Sequence, residues 1–360
     1  MKKIKVGIMT FWNSHSNYGQ ILQGYALQRY LEQYGCDAYI IRFNNFLSQI
    51  KEILTLIKKQ LLIYSLKNHQ KRRFNEFKLQ IKYSKSIYHS FVSLRRNPPQ
   101  VNLFIVGSDQ VWTYMRSKER RNGYLLNFAD NVKKISYAAS FGRDNLKVDE
   151  LDDFKTALSK LSTITVREKT GCDICEQLGF KAQMVIDPIA LLNTTDWKYI
   201  EIRPTFKNNR KKNAFIYLLA DEDKKIIDLT TKLQEEYNIY YTNPNGKGFL
   251  PDCTPSIPEW IGFIDKCDIV ITDSYHCTLM SILLNTQFVT VSRTNGIQMN
   301  NRLLTLFEIT ELKYRYVPLT DLNEVMKAVN TYSKITWTDT FIKLIEDSRM
   351  LLRKTIECER

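Results

Sequence analysis

The chain has 360 residues, about two to three times the usual length of a single domain, so one small module is excluded and two domains are expected. Hydrophobic residues make up 44% and charged residues 25%, with 13 Gly and 9 Pro, which is ordinary globular usage and excludes low-complexity and fibrous chains. The formal charge of +14 is unevenly spread, since twelve Lys or Arg stand against Glu52 and Glu76 between Gln49 and Gln100. One basic insert therefore carries most of the excess, and with no helix-turn-helix, RNA-recognition or zinc signature the sequence reads as having no nucleic-acid partner.

In chain order, Ile4 to Thr10 is a short apolar run that predicts a buried strand, Ile21 to Tyr34 has helical spacing and stops at Gly35, and Ala38 to Phe43 predicts a second strand. A strand, helix, strand opening predicts a parallel sheet. The start is basic but lacks a small-residue cleavage site, and no run reaches the ~18 apolar residues that span a bilayer. A cytoplasmic location is expected, and the seven scattered cysteines suit reduced thiols rather than a disulfide framework.

From Phe46 the positions Ile50, Ile53, Leu54, Ile57 and Leu61 recur at steps of three and four, with Lys51, Lys58 and Lys59 off the stripe. This predicts an amphipathic helix that packs either on the protein's own core or on a membrane surface. Lys71 to Lys78 is expected to continue as a solvated helix, so the insert as a whole, 46–100, reads as helical. Further strands are expected at Leu103 to Val106, Ile135 to Ala139, Ile164 to Val166 and Met184 to Ile186. After Asp187-Pro188 the composition turns polar and basic through 193–213, marking a domain boundary. Ala214 to Leu219, Ile239 to Thr242, Ile269 to Thr272 and Phe288 to Val291 begin a second series. The fold class is α/β, with two doubly wound halves facing a cleft, 1–195 and 196–360, the last helix being free to return to the first half.

Three features carry chemistry. His276 follows a buried strand in the turn Asp273 to His276, where an imidazole of ordinary pKa near ~6.5 suits proton transfer, although a His there also serves as a cap or packing group. Ser274 and the amides opening the next helix could hold an anion beside it. The loop Asn13 to Gln23 lacks a dinucleotide fingerprint; its amides either bind a phosphate or sugar hydroxyl or cap the following helix. Arg167, Arg293 and Arg302 follow strand ends, where guanidinium groups match carboxylate and phosphate oxygens. The pair Cys172 and Cys175 has no second pair or nearby histidine, so packing is the expected role and no metal site is predicted.

Taken as an ordered set, these strings resemble the polysaccharide pyruvyl transferases. The resemblance rests on Thr10-Phe11, Asn17-Tyr18-Gly19, Leu22-Gln23 and Phe104-Ile-Val-Gly-Ser-Asp-Gln-Val-Trp112. It continues through Ile135-Ser-Tyr-Ala-Ala-Ser-Phe-Gly142, Val166-Arg-Glu-Lys-Thr-Gly171, Val185-Ile-Asp-Pro188 and Ile271-Thr-Asp-Ser-Tyr-His276, spanning about residues 4 to 310. It implies two Rossmann-like domains similar to glycosyltransferase type B. It also implies transfer of the enolpyruvyl group of phosphoenolpyruvate onto two hydroxyls of a sugar, in a surface or exopolysaccharide pathway, giving a pyruvate ketal and phosphate. His276 then matches the general acid and base, Arg167 a donor-site arginine, and either Arg293 or Arg302 a second donor-binding cation. Asn17, Gln23, Asp109 and Gln110 would face the acceptor, and no metal or organic cofactor is implied. Cys277 stands where many relatives carry glycine, and Thr113 where asparagine is common. The competing expectation is a nucleotide-sugar-dependent glycosyltransferase on the same fold. A lipid-linked acceptor would bring the basic insert to the inner membrane surface.

Overall fold

The computed structural model describes residues 3–44, 72–219, 223–243, 253–292, 301–331 and 335–359. In the first sheet β3 (Tyr83–Tyr88), β2 (Asp37–Phe43), β1 (Lys5–Met9), β4 (Leu103–Val106) and β5 (Lys133–Ser136) lie side by side in that order. Every neighbouring pair is parallel. Bridges from Ile135 to Thr163 and from Ala139 to Val166 attach the short pair β6 (Thr165–Val166) and β7 (Gln183–Met184) beyond β5. The second sheet runs β12 (Tyr316–Pro318), β11 (Phe288–Ser292), β10 (Ile269–Thr272), β8 (Lys212–Tyr217) and β9 (Tyr237–Thr242), again all parallel. The inner strands β4 and β10 are buried along their whole length, as continuous apolar runs covered on both faces must be.

The winding reverses between β1 and β4 in the first sheet and between β8 and β10 in the second. Such switch points open a crevice at the carboxyl ends of the strands. The loops after β1, β4 and β10 therefore sit where a doubly wound sheet binds ligands.

The helices that shape the site are α1 (Tyr18–Gln33), α2 (Lys169–Gln177), α3 (Ile257–Lys266), α4 (Tyr275–Leu284), α5 (Asn301–Thr310) and α6 (Asp339–Glu357). Helix α1 starts at Asn17, whose side chain accepts from the Gln20 amide at 3.1 Å, the usual way a helix start satisfies one of its orphan donors. Tyr18 then ties the halves together. Its ring stacks on Trp260 of α3 with centroids 5.2 Å apart, and its hydroxyl donates to the Pro255 carbonyl at 2.7 Å. One apolar core accordingly runs from β1 and α1 through Trp197 to α3 and α4. Helix α6 lies along the first half, where Ser348 Oγ accepts from the Ile186 amide at 3.0 Å and the Arg349 carbonyl accepts from Tyr30 at 3.2 Å.

The basic insert departs from the helical expectation. The stripe from Phe46 to Leu61 lies outside the described residues. Residues 72–78 are helical and solvated on one face only: Arg72, Asn75 and Glu76 are exposed, while Phe74 and Phe77 are buried against Tyr18 and Tyr25, with centroids 4.7 and 5.1 Å apart. Arg73 reaches across to Glu259 of the second half at 2.5 Å. Tyr83–Tyr88 then forms edge strand β3. Its Ser84-Lys85-Ser86 centre hid it, because an edge strand has only one paired neighbour and tolerates polar positions. No helix among the described residues is long and apolar enough to cross a membrane.

Candidate active site

Strand β10 delivers the turn that carries His276. The Asp273 carboxylate accepts from the Leu219 amide at 2.7 Å, and Ser274 Oγ caps α4 by accepting from the Cys277 amide at 3.5 Å. This fixes His276 in the first turn of α4, buried just past the carboxyl end of β10. Gly19 of α1 packs against the imidazole so closely that a Cβ there would lie 2.1 Å from Nδ1, so only glycine permits the approach. Nε2 faces the other way, 3.2 Å from Arg167 Nη1 and 3.4 Å from Asp187 Oδ2. With a donor and an acceptor at the same nitrogen, Nε2 has a partner whether or not it carries a proton. It can give and take a proton without leaving a buried polar atom unpaired.

Arg167 reaches this spot because β6 hydrogen-bonds beside β5: its amide donates to the Ala139 carbonyl at 3.3 Å. Its Nη1 donates to Asp187 Oδ2 at 2.7 Å. The same carboxylate accepts from Ser108 Oγ at 3.0 Å and, through Oδ1, from the Ile189 amide at 3.0 Å. Burial alone would raise the Asp187 pKa. The neighbouring His276 and Arg167, with the Ile189 amide, outweigh it and hold the carboxyl well below the usual carboxylate range. Burial likewise opposes the charge on Arg167, but Asp187, Tyr275, Asp109 and Glu168 together hold its pKa above the ordinary value.

The Arg167 guanidinium also lies 4.9 Å from the centroid of the Tyr275 ring, with Arg302 of α5 5.8 Å from the same ring. Burial, and then the like charge of Arg167, push the Arg302 guanidinium down to about 10. Among the described residues, Arg167 Nε and Nη2 and Arg302 Nε have no hydrogen-bond acceptor. Two buried cations with unfilled donors beside one phenol can together offer paired N–H groups to an anion.

The expected site residues do not all meet there. His276, Arg167 and Arg302 do. Arg293 lies outside the described residues. Ser274 uses its hydroxyl on the helix end, and Asn17 does the same for α1. Gln23 is fully buried rather than open to an acceptor: its Oε1 accepts from the Ser108 amide at 3.2 Å and its Nε2 donates to Thr10 Oγ1 at 2.9 Å. It holds the loop after β4 instead. Asp109 and Gln110, in that loop, do border the crevice. Asp109 Oδ1 lies 3.8 Å from Arg167 Nη2, while Gln110 packs on Gly142, whose φ of 62° and missing side chain make room for it.

Cys277 is buried in the core under the turn, where burial pushes its thiol up. Burial also raises Cys172 and Cys175 on α2, to about 11 and about 12, so both behave as packing groups. No cluster of metal-ligating side chains occurs among the described residues. Sequence reasoning quoted Asp187, Tyr275 and Gly19 without a role. For Asp187 the signal was there, a carboxylate directly after a strand and before a proline. For Gly19 nothing local could show that α1 meets a histidine.

The fold and site define a two-domain α/β protein similar to glycosyltransferase type B, with an arginine and histidine crevice between its sheets. A family model described as polysaccharide pyruvyl transferase matches residues 17–295, and the chain belongs to that family. Solved structures that it resembles include the UDP-N-acetylglucosamine 2-epimerase of Rickettsia bellii, with a TM-score of 0.55, 9% identity and coverage of 99% of this chain and 97% of that one. The S. aureus MnaA–UDP co-structure gives a TM-score of 0.52 at 11% identity, covering 99% and 97%. The UDP-GlcNAc 2-epimerase of Methanocaldococcus jannaschii gives 0.51 at 13%, covering 98% and 99%. These likenesses speak for the fold alone. The sequence matches no curated protein.

Proposed function

We propose that this chain is a ketal-forming pyruvyl transferase that moves the enolpyruvyl group of phosphoenolpyruvate onto two hydroxyls of a sugar in surface-polysaccharide assembly. The observation that carries this reading is the pair of buried guanidiniums near the Tyr275 ring, with Arg167 Nε, Arg167 Nη2 and Arg302 Nε unfilled among the described residues. Phosphoenolpyruvate presents a phosphate and a carboxylate on three carbons, and paired N–H donors match both groups. His276 Nε2, 3.2 Å from Arg167, is then within reach of the donor's methylene carbon, and protonating that carbon makes the adjacent one electrophilic.

The guanidiniums offset the charge of the departing phosphate. Ser274 supports the donor side through the turn that it caps, and Arg293 belongs to the same side in this reading. The acceptor, a free or lipid-linked sugar with two neighbouring hydroxyls, approaches from the loops of Asn17, Asp109 and Gln110. The reaction so written needs no metal or organic cofactor. The enzyme would work on the cytoplasmic side, its basic insert near the inner leaflet, a point that co-sedimentation with anionic vesicles at low and physiological salt tests.

The deciding experiment supplies doubly labelled phosphoenolpyruvate and a panel of sugar acceptors. Phosphate release together with label on the sugar is the expected outcome. Consumption of a sugar nucleotide with release of a nucleoside diphosphate, and no use of phosphoenolpyruvate, would replace this reading with a glycosyltransferase.

A further inference from the structure

Ketal formation needs a second proton-handling group, because each attacking hydroxyl must lose its proton while the donor's methylene carbon gains one. His276 supplies the gain from the second half of the molecule. On the opposite wall the carboxylate best placed to take the loss is Asp109. It lies in the loop that follows β4 at the switch point of the first sheet, with one oxygen, Oδ1, 3.8 Å from Arg167 Nη2 and the other, Oδ2, accepting from Gln20 Nε2 at 3.3 Å. Arg167 touches His276 Nε2 at 3.2 Å on its other side. The guanidinium that would hold the donor is thus bracketed by an imidazole from one half and a carboxylate from the other.

The neighbouring acids are less suitable. Asp187 is filled by Arg167, Ser108, the Ile189 amide and His276. Glu168 Oε1 is occupied by Ser140 Oγ at 2.9 Å and the Phe141 amide at 3.0 Å; its Oε2, 4.0 Å from Arg167 Nε, has no hydrogen-bond partner among the described residues, but Glu168 is shut in at 1% exposure against 7% for Asp109. The Asp109 backbone is also built for its place. It sits at φ 68°, and its carbonyl accepts from the Val111 amide at 2.8 Å and the Ser140 amide at 3.0 Å. A left-handed backbone is costly for most residues but well tolerated by Asp and Asn.

Resting on the pyruvyl-transfer reading, we propose that Asp109 is the catalytic base for the acceptor hydroxyls, working against His276 as the acid. In the first step the hydroxyl oxygen bonds to the donor's second carbon as the carbon–carbon π bond breaks. The π electrons take a proton from His276 at the methylene carbon, and Asp109 takes the hydroxyl proton. In the second step the bond from that carbon to the phosphate oxygen breaks, and phosphate leaves with the electron pair and the proton held by Asp109. The second hydroxyl then adds and gives its proton to Asp109, from which it passes to solvent as His276 regains one. Two hydroxyl protons are lost, one is gained by carbon and one by phosphate.

Asp109→Asn tests this, because Asn keeps the left-handed backbone and the side-chain volume while removing the base. We expect turnover to fall roughly 10²- to 10⁴-fold with an unchanged melting temperature. At the same time affinity for phosphoenolpyruvate, read by calorimetry, should rise, since a negative charge beside Arg167 has gone. A packing or ion-pair role would not produce that split. Asp109→Glu, which keeps the charge, should recover part of the turnover. Wild-type transfer to an aryl glycoside panel with free 2,3-, 3,4- and 4,6-diols is measured first. If wild type transfers no pyruvate, the functional reading falls and the base role with it. If wild type transfers and Asp109→Asn keeps a third or more of its turnover, or if both variants lose donor affinity, only the base role is overturned.

Discussion

Two polar layers meet at the floor of the crevice and follow opposite rules. In the layer of Thr10, Gln23, Ser108 and Asp187 each side-chain polar group has a partner inside the protein. In the layer of Arg167, Tyr275 and Arg302, Arg167 Nε and Nη2 and Arg302 Nε are buried with no acceptor among the described residues. Burying polar groups is costly unless they are paired. The first layer meets that requirement and sets the geometry of the loops, whereas the second leaves it open and is suited to recognising an anion. Asp187 is the hinge between them, part of the paired layer yet holding one edge of Arg167 and facing His276.

The strongest test of this contrast is at the residue both layers touch. His276→Gln keeps a polar side chain in the turn and removes the acid, and turnover should drop roughly 10² to 10⁴ with the thermal melt unchanged. Wild-type-like transfer by this variant would remove His276 from the chemistry.

The two arginines should then separate. Arg167→Ala leaves Asp187 buried without its closest cation, a loss that costs about 3–5 kcal/mol of stability and also weakens the donor. Arg302→Ala, with no carboxylate depending on it in that way, should lower donor affinity about 10- to 100-fold, the equivalent of one charge-assisted hydrogen bond, while urea midpoints stay put. Equal stability losses in the two variants would erase the distinction between the layers.

A smaller effect belongs to the paired layer alone. Gln23→Leu strands the buried Ser108 amide and should cost about 1–3 kcal/mol in urea unfolding, with donor affinity per folded molecule unchanged. A loss of acceptor affinity without a loss of stability would return Gln23 to the acceptor site.

The mildest expected effect is on acid stability. The Asp187 pKa is depressed in the folded chain, so its contribution is fully present above the unfolded value near ~3.9. It is lost progressively as pH falls below that value. Asp187→Asn should be less stable near neutral pH and should show a shallower decline between about pH 4 and pH 2. Parallel declines in wild type and variant would show that Asp187 is not the group that titrates.

Much of the architecture was legible in the sequence, because apolar runs such as Leu103 to Val106 and Ile269 to Thr272 announce buried parallel strands wherever they occur. The placement of His276 and Arg167 just past strand ends was equally legible, since polar residues that follow a buried strand must emerge at its carboxyl edge. Edge strand β3 was not, because Lys85 and Ser86 face solvent and Ser84, though buried, is polar and bonded to the Arg42 amide, so no apolar alternation marks the strand.

Nor could residue spacing show that Arg167 and His276, 109 positions apart, share a hydrogen bond, or that Gly19 presses on the same imidazole. Periodicity reports only what each residue's own element buries, whereas the pairing of charges at the crevice floor depends on how two separately wound sheets pack through Tyr18 and Trp260. The sequence alone determined the buried inner strands, their parallel order of succession and the residues at their ends, but not the edge strands β3 and β12. Tertiary packing decided which of those residues were neutralised by neighbours and which two arginines were left with open donors, because the pairing of a buried polar group is set by its contacts in space and not by its place in the chain.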